Sequence, residues 1–550
     1  MHAIHSSFRC CLRPAVLSVL ICSIFLSGGS ILFAAERAWR NPLSLDNAGQ
    51  LRERLVEVNQ DIVAHGIRDF PQSNEKLLTG YVYGEFYDRK LNYDSTNLGG
   101  KIKPIVTQSL GVHFPELSGR QGTDEAENAD LRAGIQELDV ARVWSGHPVN
   151  FALLTHGDQQ YVAYYAADRQ MTIAQRTLGQ RTWRYTTLPT SVGWDSHNYV
   201  TMALDREGYL HVAGNMHVAP LIYFRSTRPG DASTLVRVPS MTGNDEAKVT
   251  YPLFSYDPNG ALIFQYRSGR SGAGDTYRDR YDERTKTWLP VTDKPLFEGG
   301  NARNAYPIDP VYGPDGWYHQ VWVWRESPMA ETNHDLSYAR SRDLAHWETV
   351  AGKPLTLPLT LQTPGLIVDP VPQHGGLING SQSVGFDANG NFVIAYTKYD
   401  AHGNTQLYFA RWRQNSWDIQ QASQWNYRWN FYGGGSIPME VMMGPLKASD
   451  GRLTILIHHA IYGTGIWSVD PKTMQLIGKP APLPIEASVG AEYAPKPGDP
   501  MIQHLAYDLG GAATGGSTYV LIWNTLTANR DQPRPGSAPA PTMLRLLVLK

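Results

Sequence analysis

The sequence predicts an all-β fold, a seven-bladed β-propeller with a partly helical N-terminal extension, and three observations carry that prediction. The first is composition: of 550 residues only 18% are charged, while 51 Gly, 36 Pro, 15 Trp and 29 Tyr favour turns and aromatic-rich strands over helical bundles. The second is a recurring turn that ends in glycine, at Gly157, Gly208, Gly260, Gly316, Gly390, Gly451 and Gly516, in steps of 51, 52, 56, 74, 61 and 65 residues. The third is the apolar strand after each turn, such as YLHVAGNMH, ALIFQYRSG, WYHQVWVWR or NFVIAYTKYD, succeeded in several units by a third strand that ends in a Trp (Trp288, Trp347, Trp417). Repeats of this length with three or four short strands each are the mark of a propeller, and seven repeats imply seven blades. A β-sandwich rarely holds so many equal units.

Taken in order, the chain opens with Arg9 and Arg13 and the apolar run 15–35, which ends in small residues and reads as a secretory signal. An uncleaved anchor is the competing reading, because the run is about long enough to span a bilayer. Cleavage near Glu36 predicts a secreted or periplasmic protein with no membrane span. It also removes all three cysteines, Cys10, Cys11 and Cys22, so the mature chain can form neither a disulfide nor a thiolate metal site. The leader holds two basic residues and no acidic one, so 49 − 2 = 47 basic against 51 acidic residues leaves −4. Such a chain has no basic footprint for nucleic acid.

Residues 36–140 are expected to be an extension packed against the main domain. Within it, 44–66 has helical spacing at Leu51, Leu55, Val58 and Ile62, and 67–140 is polar and irregular. The catalytic propeller is expected over 141–550, as a monomer.

The repeat register then points to a site. Residues seven to nine positions after the turn glycines, among them His217, Arg267, Arg325 and Lys398, end the second strand of each unit; His197, Tyr251 and Tyr306 begin the first. In an antiparallel hairpin these two positions lie side by side, so both sets ring one mouth of the propeller. Each residue alone has an ordinary structural explanation; together they form an electropositive mouth suited to an anionic ligand. The rim positions of blades two to five contain no Asp or Glu, whereas glycoside hydrolysis usually needs a pair of carboxyl groups. No HExxH or tight His/Asp cluster suggests metal hydrolysis. His, Tyr and Arg suit β-elimination on a uronate instead: a cation stabilises the enolate, a base removes the proton on carbon 5, and an acid protonates the oxygen leaving carbon 4.

At these residues the chain also resembles a known family. GWDSHNY…GYLHVAGNMH, VTYPLF…LIFQYRSGRSGAGD and NAYP…HQVWVWRESP…NHDLSYARS look like the BNR-repeat seven-bladed propeller lyases, which act on ulvan and related rhamnose–glucuronate polymers; the likeness covers roughly 147–460. The resemblance implies that Arg267 neutralises the uronate carboxylate, that Tyr251, His197 and His217 share the acid and base roles, and that Tyr306 and Arg325 contact substrate. Asn198, His374 and Lys398 are further candidate substrate contacts. The chemistry requires no cofactor. The metal content is left open: a structural calcium ion near the axis is compatible with the sequence, whereas the cysteine-ligated metal of some relatives is not. The expected activity is cleavage of the rhamnose-(1→4)-glucuronate linkage of an acidic polysaccharide. The alternatives are an exo-α-L-rhamnosidase and a propeller that binds uronates without turning them over.

Overall fold

The computed structural model describes residues 135–449, 451–481, 493–496, 499–510 and 517–549. The leader, the helical spacing over 44–66, the rest of the extension to 134 and the turn at Gly516 lie outside the described residues.

Among the described residues seven antiparallel sheets succeed one another, as the repeat count predicts. Blade 1 has four strands between Ala152 and Ser191, and blade 2 four between Val200 and Val238. Blade 3 runs from Val249 to Pro290, blade 4 from Asn304 to Asp369, blade 5 from Gln382 to Gln421 and blade 6 from Val441 to Ala481. Cover on both faces explains the inner strands: Leu210–Gly214 and Tyr318–Arg325 are buried throughout because another blade packs on each side. The turns form where glycine was read; Gly208 takes φ 84°, a left-handed conformation that costs a side-chain-bearing residue far more.

Two expectations need correction. The tryptophans read as ending the third strand belong to the next strand out: Trp288 lies in Thr287–Pro290 and Trp417 in Ser416–Gln421, both outermost, and Trp347 in Trp347–Glu348, beyond which Pro354–Leu355 still pairs. The propeller also begins before 141. Ile135–Val143 pairs antiparallel with Thr542–Leu549, from Ile135 against Leu549 to Val143 against Thr542, so blade 7 is built from both ends of the described chain. This pairing ties the two ends of the described chain into one blade, with Ile135–Val143 as its outer edge strand.

The apolar core is a series of interfaces between blades. One cluster joins blades 7, 1 and 2 through Leu153, Val162, Leu210 and Trp523, and another joins blades 3 and 4 through Phe297, Trp322 and Trp324. Stacking around a ring leaves the inner strand ends of neighbouring blades close together, and the polar residues there face one space.

Candidate active site

The site starts from the hairpin Val200–Leu204/Leu210–Gly214, in which Val200 pairs with Gly214. A Cβ on Gly214 would lie 2.6 Å from the Tyr199 carbonyl oxygen, so a glycine is needed for the hairpin to close there. His197 stands three residues before the hairpin and His217 three residues after it, and their rings stack with centroids 4.2 Å apart. His217 does not finish its own hairpin as the register suggested. It opens a short strand, His217–Ala219, that joins blade 3 by pairing with Thr250.

Asp195 holds this pair. Its Oδ1 accepts from the His197 backbone N–H at 2.9 Å and from His197 Nδ1 at 2.7 Å, and its Oδ2 accepts from His217 Nδ1. Burial opposes ionisation of this carboxyl, but the hydrogen bonds from His197 and His217 outweigh it and hold Asp195 well below the usual carboxylate range. An ionised Asp195 fixes the proton of each imidazole on Nδ1 and leaves each Nε2 as the basic atom.

Tyr251 sits at an irregularity between Thr250 and Leu253, with φ 58°. A bulky aromatic in the left-handed region is strained, and such strain gathers where a side chain must be aimed. The ring lies 5.6 Å from His197 and 6.3 Å from Tyr306, with the Arg267 guanidinium 4.8 Å from its centre. Burial, then the neighbouring Tyr306, pushes the phenol up to about 12 against the opposing pull of Arg267 and Arg325. It therefore stays protonated at neutral pH.

Arg267, 4% exposed, donates through Nη1 to the Tyr306 hydroxyl at 3.2 Å, while its Nε and Nη2 find no partner among the described residues. A buried guanidinium with unmade hydrogen bonds is costly, and an anion at this point would satisfy it. Arg325 differs: it donates to Ser327 O at 3.1 Å, to Asn379 Oδ1 at 3.2 Å and to the Pro328 carbonyl, so it braces the rim. Five predicted residues, His197, Tyr251, Arg267, Tyr306 and Arg325, line one cavity of about 300 Å³.

The other predicted contacts do not join that lining. Lys398 is held by Asp369 at 2.6 Å, so its charge is neutralised locally. His374 is exposed on a loop, where its backbone N–H donates to Glu331 O at 2.8 Å. Asn198 is engaged through its carbonyl, which accepts from the Tyr165 hydroxyl at 2.5 Å. The mouth is therefore less cationic than the register implied, and it is not free of carboxylates. Asp309 lines the cavity, Asp195 binds His197 and His217 next to it, and Asp531 of blade 7 lies 3.5 Å from His197 Nδ1. Asp195 was within reach of sequence reasoning, two residues before His197 in GWDSHNY; nothing in the repeat register points to Asp531.

The expectation of no tight His/Asp cluster is corrected here, because Asp195, His197 and His217 come together as a group able to offer metal ligands. Two imidazoles with one carboxylate suit a zinc-like ion, and both Nδ1 atoms are already committed to Asp195.

Residues 159–425 match the family model described as BNR repeat-containing family member. The BNR span runs from the second strand of blade 1 to just past blade 5 and contains every predicted site residue, while Asp531 lies beyond it. The sequence-level resemblance to BNR-repeat propellers is met over that span. No curated protein matches the chain. Among solved structures, the chain is similar to polysaccharide lyase Uly1, with 13% identity, a TM-score of 0.49 and coverage of 76% of this chain and 99% of that one. It is also similar to a PL25 ulvan lyase, with 16% identity, a TM-score of 0.47 and coverage of 72% of this chain and 94% of that one; the same figures hold for that lyase bound to -[GlcA(1-4)Rha3S]-.

Proposed function

We propose that the protein is an exported polysaccharide lyase that cleaves the rhamnose-(1→4)-glucuronate linkage of ulvan or a related acidic polysaccharide by β-elimination. The observation that carries this reading is the buried Arg267 fork with two unpartnered nitrogens, set between Tyr251 and Tyr306 in the same cavity as His197. A uronate carboxylate bound there would share the fork, and the charge that builds on it as carbon 5 loses its proton would be stabilised. The base is an Nε2 of the His197/His217 pair, each ring oriented by Asp195. The acid is the Tyr251 phenol, which its surroundings keep protonated. The proton on carbon 5 passes to imidazole, the bond from carbon 4 to its oxygen breaks, a carbon 4–carbon 5 double bond forms, and the phenol proton goes to the departing oxygen.

Hydrolysis has one observation on its side, the Asp309 carboxylate in the cavity lining. One assay separates the readings: incubation with ulvan and rhamnosyl-glucuronate oligosaccharides, monitoring ultraviolet absorbance of the new double bond and chromatography of free rhamnose. Elimination predicts absorbance, with any rhamnose freed from a chain end matched by an equal amount of unsaturated uronate. Free rhamnose with no absorbance would replace the lyase by a rhamnosidase, and binding without either product would leave a uronate-binding propeller.

A further inference from the structure

The segment between blades 5 and 6 has a pattern of its own. In 425–431, WNYRWNF, the residues Trp425, Tyr427, Trp429 and Phe431 are buried, while Asn426, Arg428 and Asn430 between them are exposed. This period of two marks an extended stretch clamped along one side. Tyr427 O accepts from the Thr405 N–H at 2.7 Å, the Trp429 N–H donates to Thr405 Oγ1 at 2.9 Å, and Trp429 O accepts from the Tyr399 hydroxyl at 2.6 Å. Three glycines come next, Gly433 to Gly435, and there the chain leaves its own blades.

At Gly433 it meets blade 4: the Gly433 N–H donates to the Glu331 carboxylate at 2.8 Å, and its carbonyl accepts from the Ala330 N–H at 2.9 Å. Three residues later it meets the loops of blades 7 and 2. The Ser436 N–H and Oγ donate to Asp531 at 2.9 and 2.7 Å, Ser436 Oγ bonds Ser196 Oγ, and Arg530 donates to the carbonyls of Tyr432 and Gly434, both at 2.9 Å. A Cβ on Gly435 would lie 2.6 Å from Arg530 O, so the strap runs directly against that backbone. Gly435, Ser436 and Ile437 line the cavity, while Tyr432 and Pro438 beside them are exposed.

These contacts tie the strap into the lining of the cavity on both sides. Ser196 and His197 lead to Tyr251, then Arg267, Tyr306 and Arg325, from Arg325 to Pro328 and Ala330, and through Gly433 to Ser436 back to Ser196. A site that cuts within a linear polymer needs a groove open at two ends. A cavity crossed on one side by such a strap is blocked at that end and admits one terminus.

We infer that the strap 432–437 makes this site a receptor for chain ends, so that the protein removes short units from one end of a uronate polymer instead of cutting inside it. The inference rests on the proposed lyase reading, and the test keeps the two apart. On a rhamnose–glucuronate polymer of known length, the shortest unsaturated fragments should appear from the first minutes while viscosity falls slowly. Deleting Gly433–Gly435 should bring mid-length fragments into the earliest samples at an unchanged melting temperature. Where that deletion does not fold, Glu331→Ala combined with Ser436→Ala removes two pins without shortening the chain. A ladder of mid-length unsaturated fragments from the unaltered protein overturns the inference and leaves the lyase reading intact. If no unsaturated product forms, the lyase reading fails and stoichiometry decides: one protein per polymer end at saturation supports end recognition, whereas a number that grows with chain length, or no binding, overturns it.

Discussion

Blades 2 to 4 and blades 5 to 7 carry polar residues at the same register positions, yet they use them differently. On the first side His197, Tyr251, Arg267 and Tyr306 line a cavity, with His217 stacked on His197 behind them and unmade hydrogen bonds on Arg267. On the other, Lys398 pairs with Asp369, His459 Nδ1 accepts the Ile461 N–H at 3.0 Å, and His504 Nε2 bonds Thr525 Oγ1 at 2.8 Å. The backbone repeat places a polar side chain at each rim position. Whether it serves a ligand or the fold depends on the partner it meets.

The largest expected effect on this contrast is at Tyr251. Tyr251→Phe keeps the ring packed and removes the proton donor, so turnover should nearly vanish at an unchanged melting temperature. An active variant would move both acid and base onto the histidines. Next comes Arg267→Lys, which keeps the charge and loses the planar fork; turnover should fall on the order of a hundredfold, the scale for losing a preorganised oxyanion donor, with KM changing much less. Lys398→Met, on the other side, should leave turnover nearly unchanged. Comparable losses in both variants would erase the contrast.

Asp195→Asn tests the link between the histidines. It keeps the shape but cannot hold both Nδ1 protons in place, and turnover should drop by roughly a hundredfold or more, as when an orienting carboxylate is neutralised. The signature is a displaced acid limb in the pH–rate profile. An unaltered profile would reduce Asp195 to a structural role.

The structural histidines make a prediction of their own. Burial lowers His147 and His458 to about 4 and His504 to about 3. Each binds a proton more readily unfolded than folded, so stability is full above pH 6.5 and falls as the pH drops toward 4. A shift from 6.5 to about 4 corresponds to roughly 3 kcal/mol. Three such groups approach the whole stability of a typical domain, so acid unfolding should set in near pH 4. His504→Gln should lower that midpoint, whereas Lys398→Met should leave it in place. The smallest effect is salt: with Lys398 neutralised, KM on polymer should rise only modestly over a screening length of about 8 Å.

Much of this was legible in the sequence because it is local. Turn glycines, alternating strands and the two histidines flanking DREG all report on neighbours within one hairpin. The strand Ile135–Val143 was not, since IQELDVARV lies half exposed at a blade edge and its partner is at the other end of the chain. Asp195 was overlooked because the register counts strand ends and Asp195 stands in the loop before one. Asp531, 335 residues from Ser196, is brought to the site only by ring closure. Lys398 was assigned to substrate because register cannot show that Asp369 reaches it first.

The most direct test of the central claim is to run the reaction in water labelled with heavy oxygen and weigh the fragments. β-Elimination predicts that each cut yields an unsaturated uronate, that no solvent oxygen enters either fragment, and that Tyr251→Phe and Arg267→Lys abolish or sharply slow the appearance of both. Saturated fragments carrying one labelled oxygen per cut would contradict the account and make the cavity that of a hydrolase.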